Sequence, residues 1–235
     1  MSRNNGNTAL ILARFNRAVK FELNCAIARF MSSEQNPEVY VTLEFTPNPN
    51  TLKYAVSRPV LGCGAALTYA DLDVARAQSG LAVKLLSIPG VASIMFGRDF
   101  VTVTKGEAGE WDTVHQKASE AIRAFLNNPQ NQILTEEGIV ALQALTGGSA
   151  GASGTPLHQP GSIEEKIIAL IDLDLRPAVA QDGGDIRFDR FADGIVYIEM
   201  QGSCNGCPSS TATLKMGIET RMREAFPEVL EVVQI

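Results

Sequence analysis

Long apolar runs are missing from this chain. Its 235 residues include no uninterrupted stretch near the ~20 that cross a bilayer as a helix, and Ala9–Ala13 is too short for a secretory segment. A soluble protein with no membrane partner is expected. Cysteine is also scarce. Cys25, Cys63, Cys204 and Cys207 are the only four, too few for a disulfide framework, so a reducing compartment follows. The two histidines, His115 and His158, read as solvated polar residues with no acid or nucleophile placed beside them. No catalytic constellation is visible, which argues against an enzyme. An excess of basic charge is lacking too: the formal net charge is −6. Residues 31–162 carry 8 basic and 12 acidic side chains, and residues 163–235 carry 7 and 13. Two acidic bodies do not offer a phosphate-binding surface, so nucleic acid is excluded as a partner.

What is present is 45% apolar residue content, enough for one large or two small cores. The stretch Gly147-Gly148-Ser149-Ala150-Gly151-Ala152-Ser153-Gly154-Thr155-Pro156 holds only small residues that cannot bury a core. Residues 146–162 therefore read as a flexible linker with a reach of about 20–25 Å. It separates a domain at 38–145 from one at 163–235. Residues 1–37 form an N-terminal extension with Arg3, Arg14, Arg17, Lys20 and Arg29 against one acid, Glu22, up to residue 30. Two readings apply to it: a mitochondrial targeting segment, or an upstream extension of a bacterial protein starting at Met31. The bacterial cytoplasm is the preferred expectation and the mitochondrial matrix the alternative.

An α+β class is expected: two small α/β-sandwich domains. In the first, Val39–Phe45 and Leu52–Val56 read as strands around the turn-rich Thr46-Pro47-Asn48-Pro49-Asn50. Residues Val74–Ser87 have helical spacing and stop at Pro89-Gly90. Strands Val91–Phe96 and Phe100–Thr104 follow. A helix over Trp111–Leu126 places Val114, Ala118, Ala121, Ile122 and Phe125 on one face, and a weaker one covers Glu136–Leu145. In the second domain, Ser162 is an N-cap with Glu165 at the capping-box position. Ile163, Ile167, Leu170, Ile171 and Leu175 share a face of the helix, which Pro177 closes or bends. Strands Asp185–Phe191 and Gly194–Gln201 join at Asp193-Gly194, a strong hairpin signal. A helix from Ser209 to Ala225 and a strand Val229–Ile235 complete an α-β-β-α-β order with a three-stranded sheet.

Chemistry concentrates in Gly202-Ser203-Cys204-Asn205-Gly206-Cys207-Pro208-Ser209-Ser210, between a strand and a helix. A two-residue spacer lets both sulfurs face one side of a turn, and Asn205-Gly206 tolerates the positive φ that such a turn demands. Pro208 opens the helix, whose positive end favours thiolates as metal ligands. Two thiolates leave an iron–sulfur cluster or a zinc ion half-ligated. Cys63 reads as a small core residue and Cys25 as no ligand, so a second copy of the loop is the economical source of the missing sulfurs. The same C-x-x-C pair also suits a thiol–disulfide oxidoreductase or a zinc-stabilised interaction module.

Gln181-Asp182-Gly183-Gly184-Asp185, the cysteine loop and Leu214-Lys215-Met216-Gly217-Ile218-Glu219 resemble the C-terminal domain of the NifU family. Thr46-Pro47-Asn48-Pro49-Asn50-Thr51-Leu52-Lys53-Tyr54, with Gly97-Arg98-Asp99-Phe100-Val101-Thr102-Val103-Thr104-Lys105, resembles the N-terminal domain of the Nfu scaffold proteins. The resemblance spans about residues 38–235. It implies a [4Fe-4S] cluster, with [2Fe-2S] as the alternative, held by Cys204 and Cys207 between the two chains of a homodimer. It also implies receipt of the cluster from upstream assembly machinery and delivery to apo iron–sulfur client proteins. Asp182–Asp185 is read as a turn into a strand, with direct contact to the cluster through backbone at Gly183 and Gly184 as the alternative, and Thr46–Asn50 as either a client-recognition loop or a rigid connector.

Overall fold

The computed structural model describes residues 38–61, 66–146, 161–205 and 208–235. The N-terminal extension with Cys25, and Cys63, His158, Cys207 and most of the expected linker, lie outside them. Residues Val39–Ile235 form one compact unit built around two sheets.

The first sheet comprises β1 (Val41–Phe45), β2 (Thr51–Val56), β3 (Leu67–Tyr69), β4 (Val91–Phe96) and β5 (Phe100–Lys105) in the order β1-β2-β5-β4-β3, every neighbouring pair antiparallel. Four helices belong to it: α1 (Leu72–Gln78), α2 (Gly80–Leu86), α3 (Trp111–Leu126) and α4 (Glu136–Thr146). Helix α3 buries Val114, Ala118, Ile122 and Phe125 of the expected stripe, with Ala121 partly buried and Leu126 added, in a core that includes Tyr54, Ile94, Phe96, Val101 and Val103. β3 was not anticipated, because three residues are too few for an alternation to register. The single helix expected over Val74–Ser87 is two. Ser79 takes extended backbone at φ −157° and caps α2 by accepting from the Ala82 amide, while its hydroxyl donates to the Ile133 carbonyl. A serine that satisfies the next helix's amides and a neighbouring loop has reason to leave the first helix.

The second sheet has β6 (Gly184–Ala192), β7 (Ile195–Gly202) and β8 (Glu231–Gln234), with β6-β7 antiparallel and β7-β8 parallel. Asp193 (φ 53°) and Gly194 (φ 80°) turn the hairpin with two successive positive φ values, as an Asp-Gly pair allows. Helix α5 (Ile163–Leu170) starts at the Ser162 cap, whose hydroxyl accepts from Glu165 N, and Glu165 accepts in return from the Gly161 amide. Pro177 does not end this helical rod. A π-helical turn at Ile171–Leu175 connects α5 to α6 (Arg176–Gln181), and Pro177 sits in the first turn of α6, where its missing N–H costs little. Helix α7 (Pro208–Ala225) lies between β7 and β8 in the chain, and its Ile218 and Met222 join Ile167, Ile171, Val179, Ile186 and Val196 in a second core.

β5 is buried on both faces along Phe100-Val101-Thr102-Val103. The sheet alternation explains one face: Val101 and Val103 enter the first core. The other face meets the second domain. Phe100 and Met95 pack with Ala66 against Ala180 at the end of α6. The Thr102 methyl lies against Gly183, where an added Cβ would approach it to 2.9 Å. A strand that reads as continuously apolar or β-branched is thus one that is covered twice.

Arg176 ties the helical rod to β6. It donates to Asp185 (2.8 Å), to Asp172 (2.6 Å) and to the Ile186 carbonyl (2.9 Å). Burial raises the pKa of Asp185, and Arg176 pulls it part of the way back. A raised folded-state value means that the folded protein binds the proton more tightly, so stability falls as pH rises from about 4 through that raised value. Arg176→Leu removes the compensating charge. It should lower stability on the order of 3 kcal/mol at neutral pH and steepen the loss between acid and neutral pH. Urea unfolding across that range checks both.

Candidate functional site

Cys204 follows directly from β7. Gly202 (φ 64°) bends the chain away from the strand, the Ser203 amide donates to the Gly183 carbonyl (3.1 Å), and the Asn205 amide donates to the Gly202 carbonyl (3.2 Å). The buried Ser203 hydroxyl donates to the Asp182 carbonyl. These bonds fasten the cysteine loop to the Asp182–Asp185 segment. Gly183 (φ 77°) makes the expected turn there, and Gly184 opens β6.

The Cys204 side chain is 3% exposed and packs in the second core. It fits because residue 184 has no side chain: a Cβ there would stand 2.3 Å from Cys204 Sγ and 3.0 Å from Val179 Cγ1. Burial was not part of the expectation, which placed an available thiolate here. Cys207, the other expected ligand, lies outside the described residues. Among the described residues, no three His, Cys, Asp or Glu side chains gather to hold a metal ion.

The loop Thr46–Asn50 lies against this site. It is stiffened internally: Thr46 Oγ1 donates to Thr51 O (2.8 Å), Asn48 Oδ1 accepts from Asn50 N (2.9 Å), and Trp111 Nε1 donates to Pro49 O (3.0 Å). Asn48 is 4% exposed, and its Nδ2 donates to the carbonyls of Ser203 (3.0 Å) and Asn205 (3.3 Å). Lys53, paired with Glu44, donates to Gln181 O (3.1 Å). On the opposite flank, Met95 covers Gly202, and Thr68 Oγ1 donates to Gln201 Oε1 (2.9 Å). The two motif strings, one from each domain, therefore meet at Cys204. Asn48 and Lys53 are not singled out as site residues by the sequence; the only signal is that they belong to those strings.

His115 is half-buried instead of solvated. Its Nδ1 lies 3.2 Å from the Tyr54 hydroxyl, and its ring stacks on that of Tyr54 at 5.8 Å. It lines an apolar groove of about 290 Å³ with Phe45, Pro49, Leu52 and Trp111. No helix among the described residues is long and apolar enough to cross a membrane.

Family models of known proteins match both halves. The NifU-like domain matches residues 167–233, and the N-terminal domain of the scaffold protein Nfu/NifU matches residues 41–129. This chain belongs to the Nfu family. A NifU-like mitochondrial protein of Arabidopsis thaliana, number 4 of its series, is 35% identical over 85% of this chain and 67% of its own length. A Drosophila willistoni protein named as a mitochondrial NFU1 iron–sulfur cluster scaffold homolog is 34% identical over 84% of this chain and 64% of its own. This Nfu chain thus spans about two thirds of the relatives that it matches. A NifU-like protein of Saccharomyces cerevisiae solved by NMR aligns with 45% of this chain and 92% of its own at 22% identity, with a TM-score of 0.37.

Gly184→Ala should cost about 1–3 kcal/mol by overpacking Cys204 and Val179. Gly217→Ala in α7, where an added Cβ meets nothing within 4 Å, should instead stabilise by up to ~1 kcal/mol through helix propensity. Urea midpoints of the two variants should move in opposite directions.

Proposed function

We propose that this Nfu chain is a carrier, not an enzyme, and that it binds a [4Fe-4S] cluster as cargo between two copies of itself and hands it to apo-proteins. The observation that carries the reading is the position of Cys204: it is fastened to the end of a strand, and three residues separate it from the first turn of α7. Cys207 falls within that interval. Two sulfurs per chain leave a cluster two ligands short, and a second cysteine loop related by a two-fold axis supplies them. A cluster held at such a junction is released by stepwise exchange, as a client's thiolates replace those of one loop and then the other. No electron transfer is required.

The N-terminal domain, residues 38–145, is assigned to client recognition, joined through the linker at 146–162. The client set consists of apo iron–sulfur proteins, and the cluster comes from upstream assembly machinery. The mitochondrial names of the Arabidopsis and Drosophila relatives support the mitochondrial matrix, the alternative reading of the basic N-terminal stretch, over the bacterial cytoplasm preferred from sequence alone.

The test is anaerobic reconstitution with iron and sulfide, followed by absorption spectroscopy and iron quantification. Cys204→Ser and Cys207→Ser should each abolish cluster retention, and Cys63→Ser should keep most of it. Loss of iron from the Cys63 variant alone would overturn the ligand assignment. Iron that stays on the wild-type chain when an apo acceptor is added would overturn the transfer step.

A further inference from the structure

The carboxamide of Asn48 bonds to both carbonyls that flank Cys204, one residue before it and one after. Asn48 reaches across 155 positions of sequence to do so. Its own loop is rigid, with Oδ1 engaged by the Asn50 amide and the Thr46 hydroxyl closing the turn. The thiol between those two carbonyls points into the second core, against Gly184 and Val179. A buried thiol cannot reach a cluster shared with another chain. For Cys204 to become a ligand its sulfur has to leave the second core, and a rotation of the backbone at 203–205 that turns it outward carries the two carbonyls away from Asn48.

We infer that Asn48 is a positioning residue for the cluster-binding loop, holding Cys204 withdrawn until the Thr46–Asn50 loop lets go. The inference rests on the carrier reading above for its meaning but not for its test. The two states exclude each other. With the clasp made, the N-terminal domain seals the loop and the thiol is protected; with the thiol turned out, the Asn48 amide loses its two carbonyl partners and faces solvent. Loading then presents the polar edge of the Thr46–Asn50 loop to an incoming protein at the same moment that the cargo is ready. The doubly covered β5 is consistent with such a seal, since Phe100 and Thr102 are buried by the domain that carries the cysteine.

Asn48→Asp is the discriminating variant. It keeps the size of the side chain and an oxygen for the Asn50 amide, but at neutral pH it sets a carboxylate against two carbonyls and has no proton to donate. The experiment follows modification of the full-length apo protein by a disulfide reagent that reacts with thiols in acid as well as at neutral pH, with the extent at each cysteine read by peptide mass spectrometry. At pH 7, loss of two hydrogen bonds should speed reaction at Cys204 about ten- to thirtyfold over wild type, and Asn48→Ala should show the same direction of change. Trp111→Phe, which frees Pro49 O but keeps the Asn48 amide, should leave Cys204 at the wild-type rate. Near pH 4 the protonated aspartic acid regains a donor, so the Asn48→Asp excess should shrink. Equal Cys204 rates in wild type and both Asn48 variants would overturn the inference. So would an Asn48→Asp excess that is the same at both pH values, because that marks general loosening of the fold. No iron is present in this assay, so either negative result leaves the carrier reading standing, and a failure of the cysteine variants to lose cluster leaves the clasp standing.

Discussion

A single close approach organises this molecule: Cys204 Sγ rests against the bare Cα of Gly184. β6 begins and β7 ends at that point, and Gly184–Gly202 is the last pair at the open end of the hairpin. The approach permits a cysteine at a strand end to be folded into a core without displacing Val179. It also brings the Asp182–Asp185 segment close enough for Ser203 to bond to it twice, through its amide to Gly183 and its hydroxyl to Asp182. A side chain at position 184 would crowd Cys204 and Val179 and strain both bonds.

Around that point the energetics are uneven. The helical rod of α5, the π-helical turn and α6 is anchored by an arginine that serves two carboxylates and a carbonyl at once. Arg176 is only partly exposed, and Asp185 is almost fully buried. Such an ion pair adds little net stability, but breaking it is costly, so it fixes how the rod lies on β6 more than how tightly it is held. The contact between the domains is of another kind. Among the described residues it includes a few side chains, Ala66, Met95, Phe100, Thr102 and Ala180, and four hydrogen bonds from Asn48, Lys53 and Thr68. Each such bond contributes on the order of 1 kcal/mol net. A contact of that strength can part and re-form while both cores stay folded.

Local physics made most of the fold legible in advance. The apolar stripe Ile163-Ile167-Leu170-Ile171-Leu175, the Ser162 cap, the Asp193-Gly194 turn and the Trp111–Leu126 helix all express periodicities or cap chemistry that one element carries by itself. The misses are places where a distant group decides. Ser79 breaks a helix because the Ile133 carbonyl, 54 residues away, accepts its hydroxyl. His115 leaves solvent because Tyr54 offers a ring and a hydroxyl. At the site, the spacing marks Cys204 and Cys207 as candidate ligands, and of the two the structure describes Cys204, in the expected place between strand and helix. The burial of Cys204 was not, since it depends on Gly184 and on a loop from the other domain. The choice between a recognition loop and a rigid connector for Thr46–Asn50 was also beyond the sequence, and the structure gives that loop a third occupation: it touches the cysteine loop itself.

The proposed carrier function stands on two chains sharing one cluster through Cys204 and Cys207. Native mass spectrometry under anaerobic conditions tests it most directly, because chain number and bound inorganic mass are read from the same ion. The account predicts apo chains as monomers, and a loaded species whose mass is two chains plus one cluster of about four iron and four sulfide. A monomer that carries the whole cluster, or a dimer of the same abundance without it, would contradict the account.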